Sequence, residues 1–96
     1  MEKDVIRNKI NKQLPFIKDK YKVKNIGIFG SFVRNEQKKG SDLDILVEFK
    51  SPIGFFEFIR LENFLSKTLG KKVDLVSKKA VKSVAKKNIF KETQYV

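Results

Sequence analysis

Apolar positions along the chain change period several times, and each change marks an element. Val5, Ile6, Ile10, Leu14 and Ile17 recur at helical spacing behind Asp4, a capping residue type, which predicts a helix over residues 4–20. Pro15 falls inside it and predicts a kink or a division there. "VKNIGIF", 23–29, is short, rich in β-branched and aromatic residues and stopped by Gly30, the pattern of a buried strand. "SFVRNEQ" has helical character, and "KKGS" then turns the chain. "LDILVEF", 43–49, predicts a second strand ended by Ser51 and Pro52. "IGFFEFIRLENFLSKTLG" predicts a third helical segment with Gly70 as its stop, and "KKVDLVS" a third strand. The closing "KKAVKSVAKKNIFKETQYV" is helix-prone to Lys91 and then frays or extends. Neither a repeat nor a low-complexity linker interrupts this α-β-α-β-α-β-α order, so the fold class is α/β.

Length and composition narrow what such a fold can do. Ninety-six residues make one domain, 1–96, with a single modest core and no room for a separate substrate domain. Cysteine and histidine are both absent, which excludes disulfides, thiolate-ligated zinc and the commonest general base. Any chemistry must use carboxylates, hydroxyls, lysines or backbone. The N-terminal "MEKDVIRNKINKQ" has no apolar core of the signal-peptide kind, and no stretch approaches the ~20 apolar residues of a membrane span, so no membrane association and a cytoplasmic location are expected. The net charge of +11 favours polyanionic partners. Only Arg7, Arg34 and Arg60 are arginines, however, and base-reading surfaces rely on arginine forks and aromatic platforms. A dedicated nucleic-acid-binding module is therefore the weaker reading of the charge, behind a lysine-rich solvated surface.

Asp42 and Asp44 stand one residue apart at the head of the second strand. Side chains at i and i+2 share a face, so the two carboxylates point one way while Leu43 and Ile45 point into the core. Like charges held together are unfavourable unless a cation fills the gap, and hard oxygen donors suit magnesium or manganese. Alone, the Asp-x-Asp pattern usually marks a solvated strand edge. The preceding "IFGS" alters that balance: Gly30 permits close backbone approach, Ser31 adds a hydroxyl donor, and both would lie at a helix N-terminus, which attracts phosphate. Arg34, three residues after Ser31, shares its face and can reach the same anion. Each of these also has an ordinary explanation, a serine-capped turn for Gly30 and Ser31 and a surface ion pair for Arg34. Together they describe a triphosphate cradle facing a metal site. For Gly30 to face Asp42, strands one and two must run antiparallel; a helical crossover of about twenty residues then makes strand three parallel to strand two, setting Asp74 beside Asp44.

Gly30-Ser31, an arginine soon after, Ser41-Asp42-Leu43-Asp44 at this interval and a later Val73-Asp74-Leu75-Val76 resemble the DNA polymerase beta-type nucleotidyltransferase superfamily. Within it the chain is similar, nearly end to end, to the minimal nucleotidyltransferases, the MNT antitoxins found with HEPN partners. One departure is Asn35, where a glycine often follows the arginine. The resemblance implies a mixed three-stranded sheet, order 1-2-3 with strand one antiparallel, flanked by helices. It also implies two-metal nucleotidyl transfer from ATP. Asp42, Asp44 and Asp74 would be the catalytic and metal-binding residues, holding two Mg2+ ions (Mn2+ as a substitute), with Gly30, Ser31 and Arg34 on the nucleotide phosphates. The implied partner is a HEPN-domain toxin RNase in a hetero-oligomer, inactivated by AMP transfer to a tyrosine hydroxyl. The alternatives are a non-catalytic antitoxin and the basic nucleic-acid-binding module. "IGFFEFIRLENFL" carries more apolar residues than one core face requires, so Phe55 or Phe56 is expected to remain for a partner.

Overall fold

The computed structural model describes residues 2–34, 42–81 and 83–96. Asn35, Ser41 and the rest of the "NEQKKGS" connection lie outside the described residues. The first helix, α1, spans Glu2–Lys20 and buries Ile6, Ile10, Leu14 and Ile17. Val5 is 48% exposed, because neighbouring helical residues stand about 100° apart and Ile6 already faces the core. Pro15 does not divide α1, which runs through it unbroken. Lys18 and Lys20 complement the dipole in its last turn.

Strand β1, Val23–Phe29, pairs antiparallel with β2, Leu43–Phe49, matching Ile28 with Ile45 and Phe29 with Asp44. Helix α2, Phe55–Leu69, forms the crossover and ends on Gly70, whose φ of 65° is the left-handed stop that its glycine predicted. β3, Val73–Ser77, then pairs parallel with β2. Alternation sends Ile26 and Ile28, Leu43, Ile45 and Val47, and Val73 and Leu75 into one cluster with the apolar stripes of α1 and α2. Leu61, Leu65 and Leu69 are the α2 side of that core.

β3 is an edge strand, and unpaired edge N–H groups invite unwanted pairing. Here α2 covers them. The Val73 N–H donates to Ser66 Oγ at 3.0 Å and the Leu75 N–H to Glu62 Oε2 at 2.9 Å.

The sheet has four strands rather than three, in the order β3-β2-β1-β4. Helix α3, Ser83–Glu92, leads into β4, Gln94–Tyr95, which pairs antiparallel with Gly27 and Ile28 of β1. The Val96 N–H donates to the Ile26 carbonyl at 2.9 Å, and Arg7 of α1 reaches the Tyr95 carbonyl at 3.3 Å. Gly27 makes this docking possible. A Cβ there would lie 2.6 Å from Thr93 Cγ2 and 3.0 Å from the Gln94 carbonyl oxygen, too close for any other residue without moving backbone. None of the described helices is long and apolar enough to cross a membrane.

Gly27→Val should therefore push β4 off β1. The expected cost is about 1–3 kcal/mol by denaturant unfolding, with the Val96 amide losing hydrogen-exchange protection while β2 amides keep theirs.

Candidate active site

The site is assembled where the C-terminal end of β1 meets the N-terminal ends of β2 and β3. In the parallel pair β2·β3, Asp44 and Asp74 are direct register partners, and both alternate with buried neighbours. Both carboxylates therefore occupy the sheet face opposite the α1 and α2 core. Asp42 immediately precedes β2, exposed, with its Oδ2 3.9 Å from Lys72 Nζ. That ion pair is open to solvent and weak.

Gly30 follows β1 with φ +77°, in the region that disfavours side chains. A Cβ on it would stand 2.9 Å from the Asp44 Cγ and closer still to Oδ2. The backbone thus packs directly against the carboxylate. The segment that was expected to begin a helix is a single 3-10 turn, Gly30–Phe32, followed by a turn through Arg34. What it offers an anion is individual N–H groups, not the dipole of a long helix. Phe32 is buried and anchors the turn, leaving Ser31 partly exposed beside it.

Electrostatics reflect the crowding of acids. The Asp44 carboxyl is pushed above the ordinary carboxylate range, first by burial and then by the charges of Asp74 and Asp42; Arg34 opposes the shift and Glu92 adds to it. Glu92 is the residue that the sequence reading missed. It ends α3, its Oε1 accepts the Gly30 N–H at 3.0 Å, and its two oxygens lie 3.0 and 2.9 Å from Arg34 Nη1. The "NIFKETQYV" segment is the only sequence signal of it.

Among the described residues no three acidic side chains are gathered tightly enough to enclose one ion. Asp44 and Asp74 are neighbours by register, whereas Asp42 leans to Lys72. A hollow of ≈ 570 Å³ lined by Arg34, Asn88, Lys91 and Glu92 opens beside the turn. A more apolar groove of ≈ 510 Å³, lined by Phe49, Ile53, Phe55 and Phe58 with Lys78 at its rim, lies at the far end of the sheet. Five strand residues, roughly 16 Å, separate it from Asp44, and it holds no acidic cluster. Phe55 and Phe56 beside it are 72% and 75% exposed and pack edge to face on each other at 5.8 Å.

Two outcomes follow from this packing. Gly30→Ala should destabilise the fold by about 1–2 kcal/mol in chemical denaturation, because the left-handed turn is strained for alanine and the Asp44 carboxylate must move. Asp44→Asn should do the reverse. An acid whose pKa is raised by folding gives up its proton more readily in the unfolded chain, so the ionised group works against the fold above both pKa values and has no effect below them. In chelator, Asp44→Asn should melt at a higher temperature than the parent at neutral pH, with the gap closing as pH falls below the usual carboxylate range.

Comparison with known proteins agrees with the geometry. Residues 10–96 match the nucleotidyltransferase domain family. MJ0128 of Methanocaldococcus jannaschii, named provisionally as a protein adenylyltransferase, is 50% identical over 95 residues, covering 98% of this chain and 93% of its own. Protein adenylyltransferase MntA of Thermococcus cleftensis is 44% identical over 80 residues, 83% of this chain and 81% of that one. Among solved structures, one described provisionally as a minimal nucleotidyltransferase superposes with a TM-score of 0.83 at 26% identity, covering 98% of this chain and 95% of the other. A toxin–antitoxin structure with AMP-PNP gives a TM-score of 0.75 at 27% identity, covering 92% of this chain and 69% of that one. With a sheet that sets Asp44 beside Asp74 behind a glycine turn, the chain belongs to the nucleotidyltransferase domain family and, within it, is similar to protein adenylyltransferases and to a minimal nucleotidyltransferase.

Proposed function

We propose that this protein transfers AMP from ATP to a tyrosine hydroxyl of a HEPN-type toxin RNase, acting as the antitoxin of the pair. The observation that carries the reading is the β2·β3 register, which fixes Asp44 beside Asp74 while the Gly30 backbone closes over the Asp44 carboxylate. The resemblance to MntA and to a toxin–antitoxin structure holding AMP-PNP supports the choice of nucleotide and partner.

In this reading Gly30, Ser31 and Arg34 hold the β- and γ-phosphates. Ser31 brings a hydroxyl and Arg34 a guanidinium, both donors on the turn that abuts Asp44, while Gly30, whose own N–H is held by Glu92, contributes close approach of the backbone. The acceptor oxygen attacks the α-phosphorus; its bond to phosphorus forms as the bond to the pyrophosphate oxygen breaks. Asp74, exposed on an edge strand, is placed to take the acceptor's proton, and no histidine is needed for it. Asp42, Asp44 and Asp74 supply hard oxygen donors of the kind magnesium takes, and a cation beside them would offset the burial and the Asp74 and Asp42 charges that raise the Asp44 pKa. Bound there, a pair of magnesium ions would lower the pKa of the attacking hydroxyl and stabilise the leaving pyrophosphate. Asp42 would exchange Lys72 for the ion, which its weak, solvent-open pairing allows.

A domain this small does not enclose both nucleotide and acceptor. The partner must therefore bring its hydroxyl to the Asp74 edge, and the exposed Phe55 and Phe56 supply apolar surface for docking it.

The test is incubation of the protein with labelled ATP, magnesium and its HEPN-type partner, followed by mass spectrometry of both. Transfer to the partner is expected, and Asp44→Asn should lower it at least ~100-fold, roughly 2.7 kcal/mol of transition-state stabilisation. An Asp44→Asn protein that silences the partner as well as the parent, without adding mass to it, would identify a stoichiometric binder instead. Salt-sensitive RNA binding with no transfer under any condition would identify a nucleic-acid module.

A further inference from the structure

Glu92 stands at a junction of three separated parts of the chain. It is the last residue of α3, it is followed by the strand that docks on β1, and its carboxylate bridges the Gly30 N–H and the Arg34 guanidinium. Those two donors belong to the turn that packs on Asp44. Arg34 is drawn in two directions, since Asp44 also attracts it. An arginine without Glu92 would be left to the aspartates and would offset the carboxylates that must receive a cation, and an unanchored guanidinium would lose its place through rotamer freedom. The Glu92 contacts counter both. Both oxygens engage one guanidinium nitrogen, and the Arg34 side chain remains about half exposed. A guanidinium's five donors allow it to hold a carboxylate and a phosphate at once.

We propose that Glu92 is a positioning residue for nucleotide binding: it holds the Arg34 guanidinium and the Gly30 turn in the arrangement that receives the triphosphate, and makes that arrangement depend on the docked C-terminal strand. The inference rests on the assignment of Gly30, Ser31 and Arg34 to the phosphates. It places the phosphate site under the control of residues sixty positions downstream, which reach it only once β4 pairs with Gly27 and Ile28.

The experiment is a double-mutant cycle read by calorimetric titration of ATP with magnesium into the full chain. Glu92→Gln keeps the shape and an oxygen for the Gly30 N–H but removes the charge. It should weaken ATP binding about fivefold, the upper range for a solvent-touched ion pair, and raise the KM for ATP while kcat at saturation is unchanged. In an Arg34→Ala background the same change should add nothing. Should Glu92→Gln melt below working temperature, Glu92→Asp, which keeps the charge but withdraws it by one methylene, carries the same comparison. Equal or tighter ATP binding by Glu92→Gln would overturn the proposal and make the carboxylate a bystander or a competitor of phosphate. Losses that add to those of Arg34→Ala would overturn it too, reducing Glu92 to a support of the fold. If Arg34→Ala alone leaves ATP affinity intact, the phosphate assignment itself fails, and this inference with it.

Discussion

Two carboxylates that repel are held side by side because the strands carrying them have no other register available. Asp44 and Asp74 face each other in the β2·β3 pair, where paired strands run about 4.8 Å apart. Near a protein surface two unit charges 4 Å apart repel by at most about 4 kcal/mol. Against that stand Leu43, Ile45, Val47, Val73 and Leu75, each buried and each contributing roughly 1.5–3 kcal/mol. A slip of one residue would relieve the repulsion only by turning that whole apolar set to solvent. Burial wins, and the site inherits a strain that only a cation or a proton relieves.

The same logic extends to the turn that closes the site. Gly30 lies against the Asp44 carboxylate because neither its φ nor its surroundings admit a side chain. Gly27, three residues earlier, leaves room for β4. Two glycines of one strand end thus define opposite sides of the working region: one admits the carboxylate, the other admits the C-terminal strand that delivers Glu92. Arg7, reaching from α1 to Gln94 and Tyr95, fastens that strand to the first helix. The site is consequently built from both ends of the chain.

Charge and apolar surface are distributed with the site at one end. Asp42, Asp44 and Asp74 lie toward the Gly30 end of the sheet, while the exposed phenylalanines and the apolar groove lie at the other. An excess of eleven positive charges over the whole chain does not mark the site. It is the acidic patch inside a basic protein that does, where burial first and the charges of Asp74 and Asp42 second raise the pKa of Asp44.

Local periodicity determined much of this molecule by itself. The alternation Asp42-Leu43-Asp44-Ile45 and Val73-Asp74-Leu75 already states which side chains face the core, and it places the aspartates on the other face without any knowledge of neighbours. The stop at Gly70 and the length of the crossover made β3 parallel to β2 and so paired Asp44 with Asp74. Other features depend on contacts that no local pattern encodes. Val5 belongs to the helical apolar set but points away from a core already filled by Ile6. "SFVRNEQ" reads as helix, yet its described part is a 3-10 turn fixed by Phe32 below and by Asp44 and Glu92 beside it. The fourth strand, the need for Gly27 and the role of Glu92 arise between residues about sixty positions apart, Gly30 with Glu92 by 62 and Arg34 with Glu92 by 58. Periodicity tells a side chain whether to face inward; only the closed chain, with its loop entropy already spent, decides what it meets there.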